Sequence, residues 1–402
     1  MQYRIDSKSG NKLSIIGFGC MRFPRNLTQI DMSRTEQLII KAIENGINYF
    51  DTAYVYGGSE DTLGQILDKN NLRNKIFLAT KLPLAKCNSN DDFESLFQEQ
   101  LKRLHTDYID YYLMHNLGDA NLWETFCKMD IEKWIRGKKD SGQIKNIGFS
   151  FHGIHNEFLK LLGVYNWDFC QIQYNYINTN YQAGTEGLKK AAGKGLPVIV
   201  MEPLLGGKLA NGLPKRAVNI FKTANSAAHS AARSALSPAA WALRWLWNQK
   251  EVTVVLSGMN DISQLEENIK TAKDAVPDML TAAEVNAYES VIEIIKDSYK
   301  VPCTGCNYCM PCPQNINIPA CFTAYNISYT VGMISGLVQY ITSTGSMDPR
   351  KNYSASKCTE CGACEKKCPQ HIPVIKSLKN VTKRMEPSWV KTAFGIFLKL
   401  RG

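Results

Sequence analysis

The sequence contains no uninterrupted apolar run of about 18 residues, the length that a helix needs to span a membrane. The stretch Met1–Gly10 also lacks the apolar core of a secretory signal peptide, so we expect a cytoplasmic protein. A complete glycine-rich dinucleotide-binding turn is missing as well. Gly17 and Gly19 have no third glycine after them, and no predicted helix opens directly on this turn, which argues against a doubly wound sheet.

The composition is that of an ordinary globular protein of 402 residues, with 44% apolar and 21% charged residues. This length accommodates one large domain and a small one. The formal net charge of +10 is compatible with an acidic redox partner protein, a phosphate-bearing cofactor or anionic lipid. Because much of this charge is ordinary surface lysine, we do not expect nucleic-acid binding.

Eight of the thirteen cysteines form two quartets near the C-terminus, and each quartet ends in Cys-Pro. The quartets are Cys303-x2-Cys306-x2-Cys309-x2-Cys312-Pro313 and Cys358-x2-Cys361-x2-Cys364-x3-Cys368-Pro369. Each iron of a [4Fe–4S] cluster takes one thiolate, and in this pattern the remote Cys-Pro completes the neighbouring cluster. The spacing therefore predicts two clusters, with the ligand sets Cys303, Cys306, Cys309 and Cys368, and Cys358, Cys361, Cys364 and Cys312.

Two alternatives accompany this assignment. C-x2-C pairs also bind zinc, although triplets followed by Cys-Pro favour iron–sulfur clusters. The Cys309–Cys312 spacing is one residue shorter than the Cys364–Cys368 spacing, so Cys321 is an alternative to Cys312 as a ligand. Otherwise Cys321 is a buried free thiol. Cysteines spaced in this way fit a reducing compartment.

Upstream of the cysteines, eight apolar runs typical of strands alternate with amphipathic runs typical of helices. Strands that are each followed by a helix predict a closed (β/α)8 barrel, the α/β architecture of TIM barrels. The predicted strands are 14–18, 47–50, 75–80, 109–114, 144–149, 168–173, 197–201 and 252–256. The predicted helices are 33–45, 60–70, 91–104, 121–140, 154–162, 184–194, 237–248 and 261–271.

The remaining segments complete a predicted organisation in four parts. We expect the barrel in residues 1–275, a connecting helix in 276–298 and a small, mainly helical ferredoxin-type domain in 299–378. Within the barrel, residues 206–236 predict a long loop at the barrel top. The tail 379–402 is basic with interleaved apolar residues, which suits a helix packed on the protein better than a membrane or partner contact.

Four polar residues at or near the C-terminal ends of predicted strands indicate proton-transfer chemistry: Asp51, Tyr56, Lys81 and His115. The Tyr56 phenol, with an ordinary pKa of about 10, is a weak acid at neutral pH. An ammonium such as Lys81 at about 4 Å would favour the phenolate by about 4 kcal/mol at an effective dielectric constant of about 20, so we expect a lowered pKa for Tyr56. Asp51 would keep Lys81 charged, and His115 would orient a substrate carbonyl.

These residues lie in segments that resemble the catalytic segments of the aldo-keto reductase family. The segments are Asp51-Thr52-Ala53-x-x-Tyr56-Gly57, Ala79-Thr80-Lys81 and Leu113-Met114-His115-Asn116. The resemblance covers about residues 1–275. With the cysteine quartets, the chain resembles the branch of this family that is fused to a two-cluster [4Fe–4S] ferredoxin domain. The resemblance implies an oxidoreductase that acts on a small-molecule carbonyl or alcohol, with clusters that relay electrons to or from a redox partner protein.

The resemblance also implies that a nicotinamide cofactor, NAD(P)H, lies across the barrel top. By matching position, Ser150 and Gln171 would hold its carboxamide, and residues 204–208 would lie over its pyrophosphate. The loop from Ser257 would take the adenosine end. The full set of implied cofactor positions is Gly19, Cys20, Ser150, Gln171, Met201, Pro203, Leu204, Gly206, Gly207, Lys208, Ser257, Gly258, Met259, Gln264 and Asn268.

Departures from the family pattern leave the identity of the barrel cofactor open. Met201 replaces an aromatic residue, Cys20 and Met21 replace a threonine–aromatic pair, and Met259 and Asn260 replace the cation that grips the 2′-phosphate of NADP. These replacements could be evolutionary drift in this lineage, with the same nicotinamide cofactor still bound. Alternatively, FMN occupies the barrel, because a flavin exchanges one electron with a cluster and two with a substrate. The protein would then be an electron carrier whose barrel is a cofactor platform. In a further alternative, the clusters are purely structural.

Overall fold

The computed structural model describes residues 1–153, 155–180, 182–228, 236–303, 305, 308–330, 332–344 and 353–387. The chain divides into two compact units. The first consists of Met1–Gly206 and Ala239–Thr281. The second consists of Gly207–Pro238 and Ala282–Gly402.

The first unit is built on a closed barrel of eight parallel strands, and this confirms the predicted (β/α)8 fold. Two antiparallel hairpins precede most of the barrel, β1 (Tyr3–Ile5) with β2 (Lys12–Ser14) and β4 (Arg25–Asn26) with β5 (Gln29–Ile30). The barrel strands are β3 (Ile16–Gly19), β6 (Tyr49–Asp51), β7 (Phe77–Leu82), β8 (Ile109–Met114), β9 (Ile144–Phe151), β10 (Phe169–Gln173), β11 (Val198–Met201) and β12 (Val252–Ser257). They follow one another in chain order, and β12 closes the barrel against β3.

The α-helices up to residue 298 are amphipathic segments between and after these strands. They are α1 (Met32–Glu44), α2 (Ser59–Lys69), α3 (Asn90–Arg103), α4 (Ala120–Cys127), α5 (Ile131–Asp140), α6 (His155–Val164), α7 (Gly184–Gly193), α8 (Lys208–Asn211), α9 (Lys215–Ala228), α10 (Pro238–Trp247), α11 (Ile262–Lys273) and α12 (Ala282–Ser298). Local sequence fixes several of their starts. Asp31 caps α1 by accepting a hydrogen bond from the backbone N–H of Arg34, and Ser89 and Asp92 form a capping box at α3.

Side-chain alternation along the strands divides the core of the first unit into two layers. Inside the barrel, Tyr49, Tyr111 and Phe169 pack against one another, with ring centres 5.2 and 5.1 Å apart. Outward-facing strand residues pack against the helices. The first hairpin closes the end of the barrel at which the strands begin, because the Tyr111 hydroxyl donates to Asp6 at 2.7 Å. The packed interior leaves the opposite rim for a site.

Two predicted elements differ from the structure. The predicted helix 121–140 is divided into α4 and α5, because Asp130 adopts a left-handed backbone conformation with a φ of 60°. The predicted barrel-top loop 206–236 is helical over α8 and α9, and residues from Gly207 onward belong to the second unit. The segment Lys215–Ala228 contains no glycine or proline and has alternating apolar and polar residues at helical spacing, which favours a helix over a loop.

The second unit is mainly helical, as predicted. After α12, its α-helices are α13 (Ile318–Thr330), α14 (Met333–Thr344), α15 (Ala363–Lys366) and α16 (Val374–Met385). Helix α16 buries Val374, Leu378, Val381 and Met385 in the core of this unit. The predicted tail 379–402 therefore begins in a packed helix, while its residues 388–402 lie outside the described residues. None of the helices in the described ranges combines the length and the apolar character needed to cross a bilayer.

Candidate active site

The parallel strands bring the four predicted proton-transfer residues to one rim of the barrel. Asp51 ends β6, Lys81 is the penultimate residue of β7, and His115 directly follows β8. The ammonium of Lys81 donates to Oδ1 of Asp51 at 2.6 Å and to the backbone oxygen of Thr52 at 2.7 Å. Only 1% of Lys81 and 4% of Asp51 is exposed, so this ion pair is shielded from water.

Tyr56 and His115 complete the group above this ion pair. Nζ of Lys81 lies 5.2 Å from the centre of the Tyr56 ring. The rings of Tyr56 and His115 meet edge to face, with centres 6.3 Å apart. A tight turn positions Tyr56, since its N–H donates to Ala53 O at 3.0 Å. The structure therefore places all four predicted residues together.

The predicted lowering of the Tyr56 pKa is wrong. Desolvation of the phenol is the largest effect, and it raises the pKa of Tyr56 above its ordinary value. The charge of Lys81 lowers that pKa, but Asp51 lies beside the same ammonium and its negative charge acts in the opposite direction. The prediction considered Lys81 without its counter-ion Asp51, and it therefore overstated how strongly the ammonium stabilises the Tyr56 phenolate.

The protonation states of Lys81 and His115 also follow from their surroundings. Desolvation is the largest single effect and lowers the pKa of Lys81, but the charge and hydrogen bond of Asp51 together with Tyr56 and Cys20 outweigh it, and the net pKa is raised. Lys81 is thus an ammonium. Desolvation, followed by the positive charge of Lys81 and the influence of His152, lowers the pKa of His115 to about 3. His115 is therefore a neutral imidazole, which can donate a hydrogen bond without carrying charge.

Three residues predicted to bind the cofactor adjoin this group. Gln171 of β10 donates from Nε2 to Oδ2 of Asp51 at 2.9 Å. Ser150 of β9 accepts a hydrogen bond from the backbone N–H of Asn116 at 2.8 Å, which leaves its own proton available to a ligand. Cys20 is buried, and desolvation raises its pKa well above the usual value, so it is a neutral thiol.

The sequence interpretation missed Gln173, the last residue of β10. Alternation along the strand directs Phe169, Gln171 and Gln173 to the barrel interior. Gln173 is 1% exposed, and within the described part of the chain neither its amide nitrogen nor its amide oxygen has a hydrogen-bond partner. A buried amide without partners is costly, and it marks a place where a ligand group can bind. Its position two residues after Gln171 was the signal that could have identified it.

The sequence interpretation also missed Arg22, which lies beside the predicted pyrophosphate segment 204–208. Gly206 has a φ of 67°, and a side chain there would meet the guanidinium of Arg22 at 3.2 Å. Nη1 of Arg22 lies 3.4 Å from the Gly206 carbonyl oxygen, and the stem of Arg22 passes beside Gly258. An exposed cation therefore lies between Gly206 and Gly258, both of which were predicted cofactor positions. Pro203 is buried, and Leu204 is half-buried beside it.

The predicted adenosine end lies at the start of α11. Asn268 donates to the Ser257 hydroxyl at 3.2 Å, and Gln264 accepts from the backbone N–H of Asn260 at 3.3 Å. Met259 is buried in the outer core. Asp261 caps α11, and hydrogen bonds from Ser263 lower the pKa of this exposed carboxyl.

Other predicted cofactor positions fall elsewhere. Gly19 ends β3, and Met201 ends β11, half-buried against the inner core. Gly207 and Lys208 belong to the second unit, in which Lys208 begins α8.

In the second unit, a cavity is lined by four cysteines, Cys312, Cys358, Cys361 and Cys364. Apolar side chains, among them Ile316 and Leu378, form other parts of its wall. This donor set fits a [4Fe–4S] cluster, which needs four thiolates. Among the described residues, no three Cys, His, Asp or Glu side chains converge as they would around a single metal ion.

The remaining predicted ligands lie nearby in the chain. Cys303, Cys309 and Cys368 are half-buried against the core of the second unit, and Cys306 lies outside the described residues. Cys321 is fully buried in that core, does not line the cavity, and has its pKa raised by burial. It is thus a protonated thiol.

Comparison with known proteins supports the predicted identity of both parts of the chain. The Aldo/keto reductase family profile matches residues 15–293. A 4Fe-4S dicluster domain profile matches residues 302–372.

Individual relatives cover between about half and three quarters of this chain. An uncharacterized oxidoreductase of Bacillus subtilis is 25% identical over 344 residues, which cover 75% of this chain and 97% of that protein. Methylglyoxal reductase of Escherichia coli is 30% identical over 238 residues, which cover 54% of this chain and 74% of that enzyme. The holo form of an aldo-keto reductase from Bacillus halodurans superimposes with a TM-score of 0.58 at 25% identity, covering 72% of this chain and 96% of that structure. The chain therefore belongs to the aldo/keto reductase family and is an iron–sulfur-containing oxidoreductase of that family, with a 4Fe-4S dicluster domain after its barrel.

Proposed function

We propose that the barrel reduces the carbonyl group of a small molecule, or oxidises the corresponding alcohol, with Asp51, Tyr56, Lys81 and His115 as its proton-transfer group. The observation that carries this proposal is the buried Lys81–Asp51 ion pair beneath the ring of Tyr56. A protein that only carries electrons does not require a proton donor such as the Tyr56 hydroxyl beside the buried ammonium of Lys81. The E. coli relative named for methylglyoxal reduction suggests a small aldehyde or ketone as a first substrate to test.

In the reductive direction, Tyr56 donates its phenolic proton to the carbonyl oxygen as the carbonyl carbon accepts a hydride. Lys81, kept charged by Asp51, stabilises the phenolate that Tyr56 becomes. His115, as a neutral imidazole, donates a hydrogen bond to the carbonyl oxygen and orients it. In the oxidative direction the same groups act in reverse, and the Tyr56 phenolate accepts the proton of the alcohol.

The cofactor that we propose for the barrel is a nicotinamide, which supplies or accepts the hydride when bound. Ser150, Gln171 and the amide of Gln173, which has no hydrogen-bond partner among the described residues, would hold its carboxamide end. The exposed guanidinium of Arg22, between Gly206 and Gly258, would neutralise its pyrophosphate.

At the adenosine end, the residues favour NAD over NADP. Asp261 caps α11 as an anion, because hydrogen bonds from Ser263 lower its pKa. A carboxylate at this turn repels the 2′-phosphate of NADP but can accept a hydrogen bond from the ribose hydroxyl of NAD. Met259 is an uncharged side chain, so it offers no cation to a phosphate, and it is also buried. Gln264 and Asn268 would approach the adenine.

For the second unit we propose that two [4Fe–4S] clusters relay electrons between the enzyme and a redox partner protein. One would be held by Cys312, Cys358, Cys361 and Cys364, and the other by Cys303, Cys306, Cys309 and Cys368. The shared cavity of the first four cysteines supports this division. Two clusters together hold two electrons, the number that a hydride carries.

Analysis of anaerobically purified holoenzyme tests the proposal. We expect about eight irons per chain, no releasable flavin, and NADH-dependent reduction of methylglyoxal or a related aldehyde. A stoichiometric FMN with no nicotinamide-dependent turnover would contradict the proposal and support the flavin platform instead.

A further inference from the structure

The cavity that Cys312, Cys358, Cys361 and Cys364 line has one edge open to solvent. Cys361 is exposed, whereas Cys312 and Cys364 are buried and Cys358 is half-buried. Electron transfer between proteins is fastest where the redox centre of each lies closest to the contact surface. A redox partner of the cluster at this cavity would therefore dock around Cys361.

Exposed lysines lie along the chain segments that form this cavity. We call them the lysine rim, and each is one to three residues from a residue of the cavity wall: Lys357, Lys366, Lys367, Lys376 and Lys379. Lys357 directly precedes Cys358, and Lys376 directly follows Ile375. Neighbouring Cα atoms are about 3.8 Å apart, so these two lysines originate at the cavity wall itself.

The charge around the cavity is strongly one-sided. Residues 353–387 contain seven Lys or Arg and three Asp or Glu, a net charge of +4. All three acidic residues are already engaged, and Glu386 accepts hydrogen bonds from the Tyr340 hydroxyl and from the backbone N–H of Ser356. Glu360 pairs with Lys379 at 2.8 Å, and Glu365 accepts a hydrogen bond from the backbone N–H of Ile375 at 2.9 Å. The rim therefore presents an excess of positive charge to solvent.

We propose that the lysine rim is the docking surface for a small acidic protein that carries one electron at a time. The inference rests on the proposed relay role of the clusters. In the reductive direction, the redox centre of the partner loses one electron and the cluster held by these four cysteines gains it. No bond forms or breaks, and no proton moves. Positive charge around the edge steers an acidic carrier and holds its redox centre beside Cys361.

A binding measurement on the anaerobic holoenzyme tests this surface. The probe is a plant-type [2Fe–2S] ferredoxin, an acidic one-electron carrier, titrated calorimetrically at low and at physiological ionic strength. We expect binding that weakens with salt and that becomes about tenfold weaker or more in the triple variant Lys357→Glu/Lys366→Glu/Lys367→Glu. The control Lys133→Glu/Lys189→Glu/Lys190→Glu changes the net charge equally at exposed positions of α5 and α7, and should bind almost as the wild type does.

Further measurements separate the possible outcomes. Iron and sulfide content shows whether the rim variant retains its clusters, and NADH-dependent aldehyde reduction reports on the barrel alone. Equal weakening in both triple variants, or unchanged binding in the rim variant, would overturn the docking surface. Tighter binding of phosphatidylserine vesicles or duplex DNA than of the ferredoxin would also overturn it. Failure of aldehyde reduction with intact rim-dependent binding would instead contradict the proposed barrel function.

Discussion

The ammonium of Lys81 lies 2.6 Å from Oδ1 of Asp51, and both side chains are almost completely removed from solvent. Removing one member of such a pair leaves a buried charge uncompensated, so each residue fixes the charge of the other. This relationship makes Lys81 a permanent cation near Tyr56, but one whose field is partly cancelled by Asp51. The phenol therefore remains protonated and ready to act as an acid.

The pKa values of this group predict the pH dependence of carbonyl reduction. His115 has a pKa of about 3, lowered by burial and then by Lys81 and His152, and Tyr56 has a pKa above its ordinary value. We expect the reduction rate under NADH saturation to have no inflection between about pH 5 and about pH 9 from these two residues. An inflection near about 6.5 that disappears in His115→Gln would contradict this assignment.

The same His115 value predicts how stability depends on pH. Because its folded pKa of about 3 lies below the ordinary value of about 6.5, protons bind preferentially to the unfolded state. The contribution of His115 to the free energy of unfolding is fully present above about pH 6.5 and is lost progressively as the pH falls towards about 3. Urea unfolding across this range should show a smaller loss of stability in His115→Gln than in the wild type.

Replacing Gln173 with leucine should separate ligand binding from stability. The variant loses a buried amide that has no partner in the described part of the chain, so the free energy of unfolding should be unchanged or higher. The dissociation constant of NADH should rise by about fivefold to about tenfold, because one or two hydrogen bonds are lost. Gln98→Leu, at an exposed position of α3, is the control. A destabilised variant with unchanged NADH affinity would assign Gln173 a structural role.

Asp261→Asn should change the preference between the two nicotinamide cofactors. Asparagine is as good a helix cap as aspartate, so α11 is preserved while the negative charge is removed. We expect kcat/KM with NADPH to rise by about threefold to about tenfold, with little change for NADH. Asp119→Asn, which removes a charge from the cap of α4, should leave the preference unchanged. A wild-type enzyme that already prefers NADPH would contradict the account of this turn.

Cys312→Ala should distinguish the two proposed cluster ligand sets. Cys312 lines the cavity with Cys358, Cys361 and Cys364, so its loss should lower the iron content from about eight to about four per chain. Cys321→Ala removes a buried thiol that does not line the cavity, and its iron content should remain about eight. The opposite pattern would identify Cys321 as the ligand. Turnover with NADH checks that each variant retains a folded barrel.

The architecture was readable from the sequence because it depends on local periodicity. All eight predicted strands exist, and the parallel arrangement brought Asp51, Lys81 and His115 to one rim, as strand-end positions must. The helical segment in 206–236 was missed because it was read as a connection between a strand and its helix. Helix 121–140 was predicted as continuous because the left-handed conformation of Asp130 leaves little trace in the apolar pattern.

The electrostatics of the site could not be read in the same way. Whether the pKa of Tyr56 rises or falls depends on desolvation and on the distance of Asp51, and both require coordinates. That the Gln173 amide has no hydrogen-bond partner among the described residues also depends on the surrounding side chains. Its position on a strand could nevertheless be read from the sequence. The position of Arg22 between Gly206 and Gly258 joins segments that are remote in the chain.

The most direct test of the central claim is the turnover of Tyr56→Phe in anaerobic holoenzyme with saturating NADH and methylglyoxal. The account predicts a fall in kcat of about 10²-fold to about 10⁴-fold, because phenylalanine has no proton to donate, while NADH binds as in the wild type. Tyr54→Phe, which removes the hydroxyl of a neighbouring tyrosine that donates to Glu99, should keep nearly full activity. A Tyr56→Phe variant that turns over at the wild-type rate would contradict the account, because the proton would then come from another group.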